Sequence, residues 1–184
     1  MKTLRIKLLS ENATIPTRNN PTDSGLDLYA AEDVIIEPGA TAIVKTDIAI
    51  ELASGYEAQI RPRSGVTSKS KLRVQLGTVD ADYRGNVGII VDNIAQDRSW
   101  IERVFSKAFF WFNTTDTYSL PTVAADVTAR EVEKYPAGTY KIFKGDKLAQ
   151  LVVVPIELPS VEVVDELNDT ARGDNGFGSS GTGA

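Results

Sequence analysis

The sequence predicts an all-β sandwich or barrel that carries a mainly helical insertion. Three observations predict it. Short stretches rich in β-branched residues recur through residues 1–93 and return after residue 138. Gly, Pro, Asn and Asp separate them at the spacing of a many-stranded β fold. Between the two β-rich parts, from Ile94 to Gly138, the apolar period changes from two to three and four, which is helical.

The elements follow in order. Thr3 to Ser10 alternates, with Leu4, Ile6 and Leu8 on one face. Val34 to Ile36, Thr41 to Leu52, Tyr56 to Ile60 and Val87 to Val91 read as strands from their β-branched content. Asn19-Asn20-Pro21, Pro38-Gly39, Ser54-Gly55 and Tyr83-Arg84-Gly85 supply the turns. Val66 to Leu72 suits a short helix. Ile101, Val104, Phe105, Ala108, Phe109 and Phe112 then share one face of an expected amphipathic helix, opened by a Ser99–Glu102 capping box. A second, weaker helix is expected from Thr122 to Tyr135, after Pro121. The β pattern resumes at Tyr140 to Phe143, turns at Lys144-Gly145-Asp146, and continues through Leu148 to Ile156 and Val161 to Val164. The β fold is thus expected over 1–93 and 139–171, the insertion over 94–138, and a flexible tail over 172–184. That tail holds glycines 173, 176, 178, 181 and 183, and its composition cannot bury enough surface to order itself.

A chain of 184 residues that is 42% hydrophobic supports one domain with a sizeable core. Its net charge of −5 lacks the basic footprint of a nucleic-acid groove, so no nucleic-acid partner is expected. With no cysteine and no histidine, disulfides, thiol nucleophiles, Cys/His zinc clusters and histidine-based triads are excluded. Proton transfer near neutral pH must fall to Asp, Glu, Lys, Tyr or a metal-bound water. MKTLRIKLLS has neither a long apolar core nor a cleavage pattern, and no apolar run reaches membrane length. A cytoplasmic protein with no membrane partner is expected.

Four segments can carry chemistry. Arg61-Pro62-Arg63-Ser64-Gly65 ends a strand and opens a helix. There Arg63 offers a planar donor fork, Ser64 a hydroxyl and Gly65 a close backbone approach to an anion. Gly77-Thr78-Val79-Asp80-Ala81-Asp82-Tyr83-Arg84-Gly85 is expected as a hairpin whose backbone edge can read a base. Its Tyr83 can lie against a ring, and Asp80 can orient and deprotonate a water. In Ser24-Gly25-Leu26-Asp27-Leu28 an acid between leucines must be paired, hydrogen-bonded or near a cation. Gln150 is polar inside an apolar strand, so it faces either solvent or a ligand. In the tail, Arg172, Phe177, Gly178, Ser179 and Ser180 combine a cation, an aromatic plate and hydroxyls among small residues, the makings of a ligand-closing arm.

The ordered series SGLDL, RPRSG, GTVDADYRG, GDKLAQL and RGDNGFGSSG resembles the five motifs of the trimeric dUTPases, covering the chain outside roughly Ile94 to Gly138. The resemblance implies a jelly-roll-like β-barrel, a homotrimer, and hydrolysis of dUTP to dUMP and pyrophosphate with Mg²⁺. It implies that Gly77 and Thr78 meet uracil and that Tyr83 packs on the deoxyribose. Asp80 would be the general base and also contact the 3′-hydroxyl. Phosphates would be held by Arg63, Ser64, Gly65 and Gln150, and Asp27 would hold the Mg²⁺ through water. Arg172, Gly178, Ser179 and Ser180 would close on the γ-phosphate, and Phe177 would cover the base. Two positions depart from the family: Ser179-Ser180-Gly181 replaces Ser-Thr-Gly, and Gln75 stands where a glycine is usual. The related dCTP deaminases share part of the motif series and are the competing activity. An insertion at this place resembles phage-encoded dUTPases. Its aromatic residues, among them Trp100, Phe110 and Trp111, suit a protein partner such as a transcriptional repressor docking on 94–138.

Overall fold

The computed structural model describes residues 3–96 and 135–174. Among these are eleven strands and one short helix. In chain order they are β1 (Arg5–Leu8), β2 (Leu26–Tyr29), β3 (Val34–Ile36), β4 (Thr41–Lys45), β5 (Ile48–Glu51) and β6 (Tyr56–Pro62). Next come α1 (Ser64–Lys69), β7 (Leu72–Val74), β8 (Gly77–Val79), β9 (Gly88–Asn93), β10 (Tyr140–Ile142) and β11 (Lys147–Pro155). The helices expected inside the insertion lie outside the described residues.

The strands form a four-stranded sheet in the order β2-β11-β6-β8, a three-stranded sheet β4-β9-β7, and the pairs β1-β5 and β3-β10. Every pairing is antiparallel, and many neighbours are distant in sequence, as a jelly roll requires. Strand alternation places the core. In β9, Ile89 and Val91 point inward while Ile90 faces out. Leu28, Val44, Ile48, Leu72, Ile142, Leu148 and Leu151 complete an apolar interior whose members are almost wholly buried.

Asn93 closes the barrel where the insertion leaves it. Its side-chain amide donates to the carbonyls of Ile36 at 2.9 Å and Gly138 at 2.8 Å, and its oxygen accepts from Ala95 N–H at 3.0 Å. The two ends of the 97–134 segment therefore meet at one buried side chain.

Three expectations need correcting. Thr41 to Leu52 is two strands, because Asp47 adopts a left-handed backbone (φ 53°) that turns the chain a corner. Val161 to Val164 is not a strand: Val161 is 94% and Val163 93% exposed, and among the described residues no neighbouring strand pairs with them. Gly77 to Gly85 is not a hairpin, since β8 pairs with β6 while β9 pairs with β4 and β7, so the turn between them crosses from one sheet to the other. The backbone edge expected of that hairpin exists nonetheless, because β8 is the outer strand of its sheet.

Candidate active site

Register builds the first half of the site. On the four-stranded sheet, Gln150 stands opposite Asp27 on one side and Arg61 on the other. A bulge in β11 between Lys147 and Ala149 turns both Leu148 and Ala149 inward, which keeps Lys147 and Gln150 at the surface of the sheet. Gly25 is tightly fitted here: a Cβ at that position would lie 3.0 Å from the Gln150 side chain, so a larger residue would press on Gln150.

Asp27 is 6% exposed, and its charge is answered twice. Arg63 Nε lies 3.0 Å from its Oδ1 and Lys147 Nζ 3.0 Å from its Oδ2. Arg63 is held a second time by donating through Nη1 to the Lys147 carbonyl at 2.8 Å. Hydrogen bonding to Asp27, and then its charge, raise the Lys147 ammonium above its ordinary pKa, so it stays protonated throughout the neutral range. The lysine also lies 5.6 Å from the centre of the Tyr29 ring. The flanking leucines implied that Asp27 is paired, hydrogen-bonded or near a cation; Lys147 was missed because it falls between the Lys144-Gly145-Asp146 turn and the strand expected from Leu148, and a β-bulge has no sequence period.

These groups border a cavity of about 550 Å³ whose other lining residues are Asn19, Asp23, Ser24, Gly25 and Gln150, a volume in the range of small-ligand sites. Asp23 orders the covering loop by accepting the Asn20 N–H at 2.8 Å, while Arg18 Nε donates to the Asp23 carbonyl at 2.8 Å. Ser64 and Gly65 open α1 directly beside Arg63 and are exposed; a Cβ on Gly65 would meet nothing within 4 Å. The lining acids Asp23 and Asp27 balance Arg63 and Lys147, so the cavity offers aimed donors rather than net positive charge. A polyphosphate entering it needs a divalent cation of its own. Both Asp27 oxygens already face cations, and among the described residues no cluster of three possible metal ligands occurs. That donor set suits Mg²⁺, which keeps most of its waters and is met by carboxylates through them.

The second half lies elsewhere on the same sheet. Gly77 stands opposite Ile60 and Val79 opposite Ala58, so Asp80 follows at the Ala58 end of the ladder. Arg63 is five residues further along the chain from Ala58, about 16 Å at the rise of a strand. Asp80 and Tyr83 are exposed, and Tyr83 N–H donates to the Asp80 carbonyl at 3.2 Å, closing the turn. Thr78 is exposed on the sheet's edge strand. One chain therefore brings Asp27, Arg63, Ser64, Gly65 and Gln150 together, and holds Asp80 and Tyr83 apart from them. Arg172 is exposed in a turn where Gly173 N–H donates to the Thr170 carbonyl at 3.1 Å. Phe177, Gly178, Ser179 and Ser180 lie outside the described residues.

A jelly roll with an open strand edge, an acid-and-tyrosine turn and a charge-balanced polar cavity places the chain among β-barrel nucleotide hydrolases. The dUTPase family model matches residues 11–103 and 136–181. The deoxyuridine 5′-triphosphate nucleotidohydrolase of Clostridium tetani is 36% identical over 181 residues, with 97% of both chains covered. The human mitochondrial enzyme of that name is 36% identical over 97% of this chain, which spans 54% of that protein's length. Among solved structures, a Staphylococcus bacteriophage 80alpha dUTPase with dUpNHpp superposes with a TM-score of 0.81 at 38% identity, covering 99% of this chain and 100% of that one. A phage phi11 dUTPase with a coordinated structural Mg(II) ion gives a TM-score of 0.71 at 38% identity, over 90% of this chain and 98% of that one. The chain belongs to the dUTPase family, and its activity is the hydrolysis of dUTP. Among the described residues no helix is long and apolar enough to cross a membrane.

Proposed function

We propose that dUTP is hydrolysed to dUMP and pyrophosphate in sites shared between the chains of a homotrimer, with Asp80 as the general base. The observation that supports this is the separation of the two residue sets within one chain. A base acts on a water only within hydrogen-bond reach, and about 16 Å of strand lies between Asp80 and Arg63. That separation supports a site in which Asp80 of one copy faces Arg63 of another.

In that site the open edge of β8 at Gly77 and Thr78 pairs with the uracil edge, and Tyr83 packs on the deoxyribose, leaving no room for a 2′-hydroxyl. Arg63, Ser64, Gly65 and Gln150 hold the phosphates, and Lys147 adds a second fixed cation. A third chain brings Arg172, Gly178, Ser179 and Ser180 to the γ-phosphate and Phe177 over the base. Asp27 would hold Mg²⁺ through water, and the ion, when bound, would supply positive charge against the phosphates. Asp80 takes a proton from water as its oxygen bonds to the α-phosphorus. The bond from that phosphorus to the α,β-bridging oxygen breaks, and pyrophosphate leaves.

A regulatory role is a second reading. Phage 80alpha dUTPases are described as controlling transfer of virulence genes by a proto-oncogenic G protein-like mechanism, and a phage phi11 dUTPase carries a species-specific insert. By likeness, the segment 94–138 docks a transcriptional repressor. Because Asn93 bonds both ends of that segment, a short Gly/Ser linker can replace 97–134 without opening the barrel. One experiment addresses both readings: assay dUTP, dTTP, UTP and dCTP on the intact and linker-replaced proteins, and titrate each with a candidate repressor. Pyrophosphate is expected from dUTP alone in both proteins, with repressor binding only in the intact one. Ammonia from dCTP would favour a deaminase, and equal repressor binding would remove the insertion from the docking surface.

A further inference from the structure

The turn that carries Tyr83 is fixed from outside itself. Tyr83 is 46% exposed, so packing alone does not hold its ring. The ring folds back over Gly85, where any Cβ would overlap the phenol, and its hydroxyl donates to the Asn86 carbonyl at 3.1 Å. The ring's place thus depends on the backbone at 85 and 86. Asn86 is in turn clasped by the corner between β4 and β5. Its Nδ2 donates to Asp47 Oδ1 at 2.7 Å, and its Oδ1 accepts the Asp47 N–H at 3.1 Å.

Asp47 is itself over-determined. It holds the left-handed backbone noted above, which costs energy for a residue with a side chain. Its carbonyl accepts Leu9 N–H at 2.8 Å and its Oδ2 accepts the Ser10 hydroxyl at 2.6 Å. The Ser10 hydrogen bond, ahead of those from Asn86 and the charge of Lys45, holds the carboxyl below its usual range against a smaller opposing effect of burial. It therefore remains an acceptor at neutral pH. A strained residue pinned by two distant chain segments, ending on the carbonyl that a half-exposed tyrosine grips, is more apparatus than a surface corner needs.

We infer that Asp47 and Asn86 are positioning residues that set the pose of the Tyr83 ring, and through it the preference for a 2′-deoxyribose over a ribose. The inference rests on the reading of Tyr83 as the group that packs on the sugar. A ring that excludes one hydroxyl must be held to well under the size of an oxygen, and groups left loose by about 1 Å lose such discrimination.

The test is the ratio of kcat/KM for dUTP to kcat/KM for UTP, measured on Asn86→Ala, Asp47→Asn, Tyr83→Ala and the Asn86→Ala/Tyr83→Ala double variant. Asn86→Ala should lower the ratio about tenfold or more, the scale of discrimination carried by one small group in a fitted pocket. Most of that change should come from improved use of UTP. Asp47→Asn, which tolerates the left-handed backbone and keeps one acceptor, should lower it less. The double variant should discriminate no worse than Tyr83→Ala alone. If Asn86→Ala and Asp47→Asn lower both substrates by one factor and leave the ratio unchanged, while Tyr83→Ala abolishes it, the clasp is only structural and the inference fails. If Tyr83→Ala leaves the ratio intact, the assignment of Tyr83 to the sugar fails, and this inference fails with it.

Discussion

Asp80→Asn is expected to fold, assemble and bind dUTP like the parent while losing about 10²–10⁴-fold in kcat, the contribution of a well-placed general base. Amide and carboxylate have nearly the same shape, and Asp80 is exposed at the end of β8, so the substitution removes basicity without opening the core. The Asp80 contact that the turn depends on is its backbone carbonyl, which accepts from Tyr83 N–H and is kept in the variant. Single-turnover kinetics with calorimetric binding of dUpNHpp separates the two effects. A kcat within a few-fold of the parent would mean that another group activates the water. Asp82, also exposed in the same turn, is the control and should matter little.

Removing residues 172–184 is expected to be the second large effect. A charge-assisted hydrogen bond from Arg172 to phosphate is worth about 1.5–3 kcal/mol, and an aromatic contact from Phe177 to uracil about 0.5–1.5 kcal/mol. Together these predict a fall in kcat/KM of about 30- to 10³-fold, since each 1.4 kcal/mol is a factor of ten. The thermal midpoint should move little, because Arg172 to Asp174 are exposed and none belongs to the apolar interior. Normal turnover after truncation would remove the tail from the site.

Much of the barrel was legible because its strands carry their own period. Ile89 and Val91 alternate with Ile90, and the structure places them accordingly. What was not legible was set by tertiary context. Leu26–Tyr29 was not expected as a strand, because its short apolar run follows Ser24-Gly25 and contains an acid; pairing of Asp27 with Thr17 and of the segment with β11 makes it one. The corner at Asp47 carries no glycine, and the price of its left-handed backbone is offset by Ser10, Leu9 and Asn86, all of them far away in sequence. Val161 to Val164 has strand composition without a strand to pair with among the described residues, which composition cannot report. The motif residues were found by their order, and only the family resemblance, not the order itself, implied that different chains supply them. Sequence order places Arg63 and Asp80 within one stretch of the chain, whereas antiparallel pairing of β6 with β8 sends them to opposite ends of a ladder.

That separation makes subunit mixing the most direct test of the shared site. Asp80→Asn chains and chains lacking 172–184 are each purified, dissociated, mixed and reassembled, with subunit exchange verified by native mass spectrometry. Each parent preparation is expected to be nearly inactive. If one site takes Asp80 from one chain and the tail from another, the mixed trimers contain sites with both groups intact, and dUTP hydrolysis should rise well above either parent preparation. If exchanged trimers stay as inactive as their parents, Asp80 and the tail of each site come from one chain, and the account of sites built between copies is contradicted.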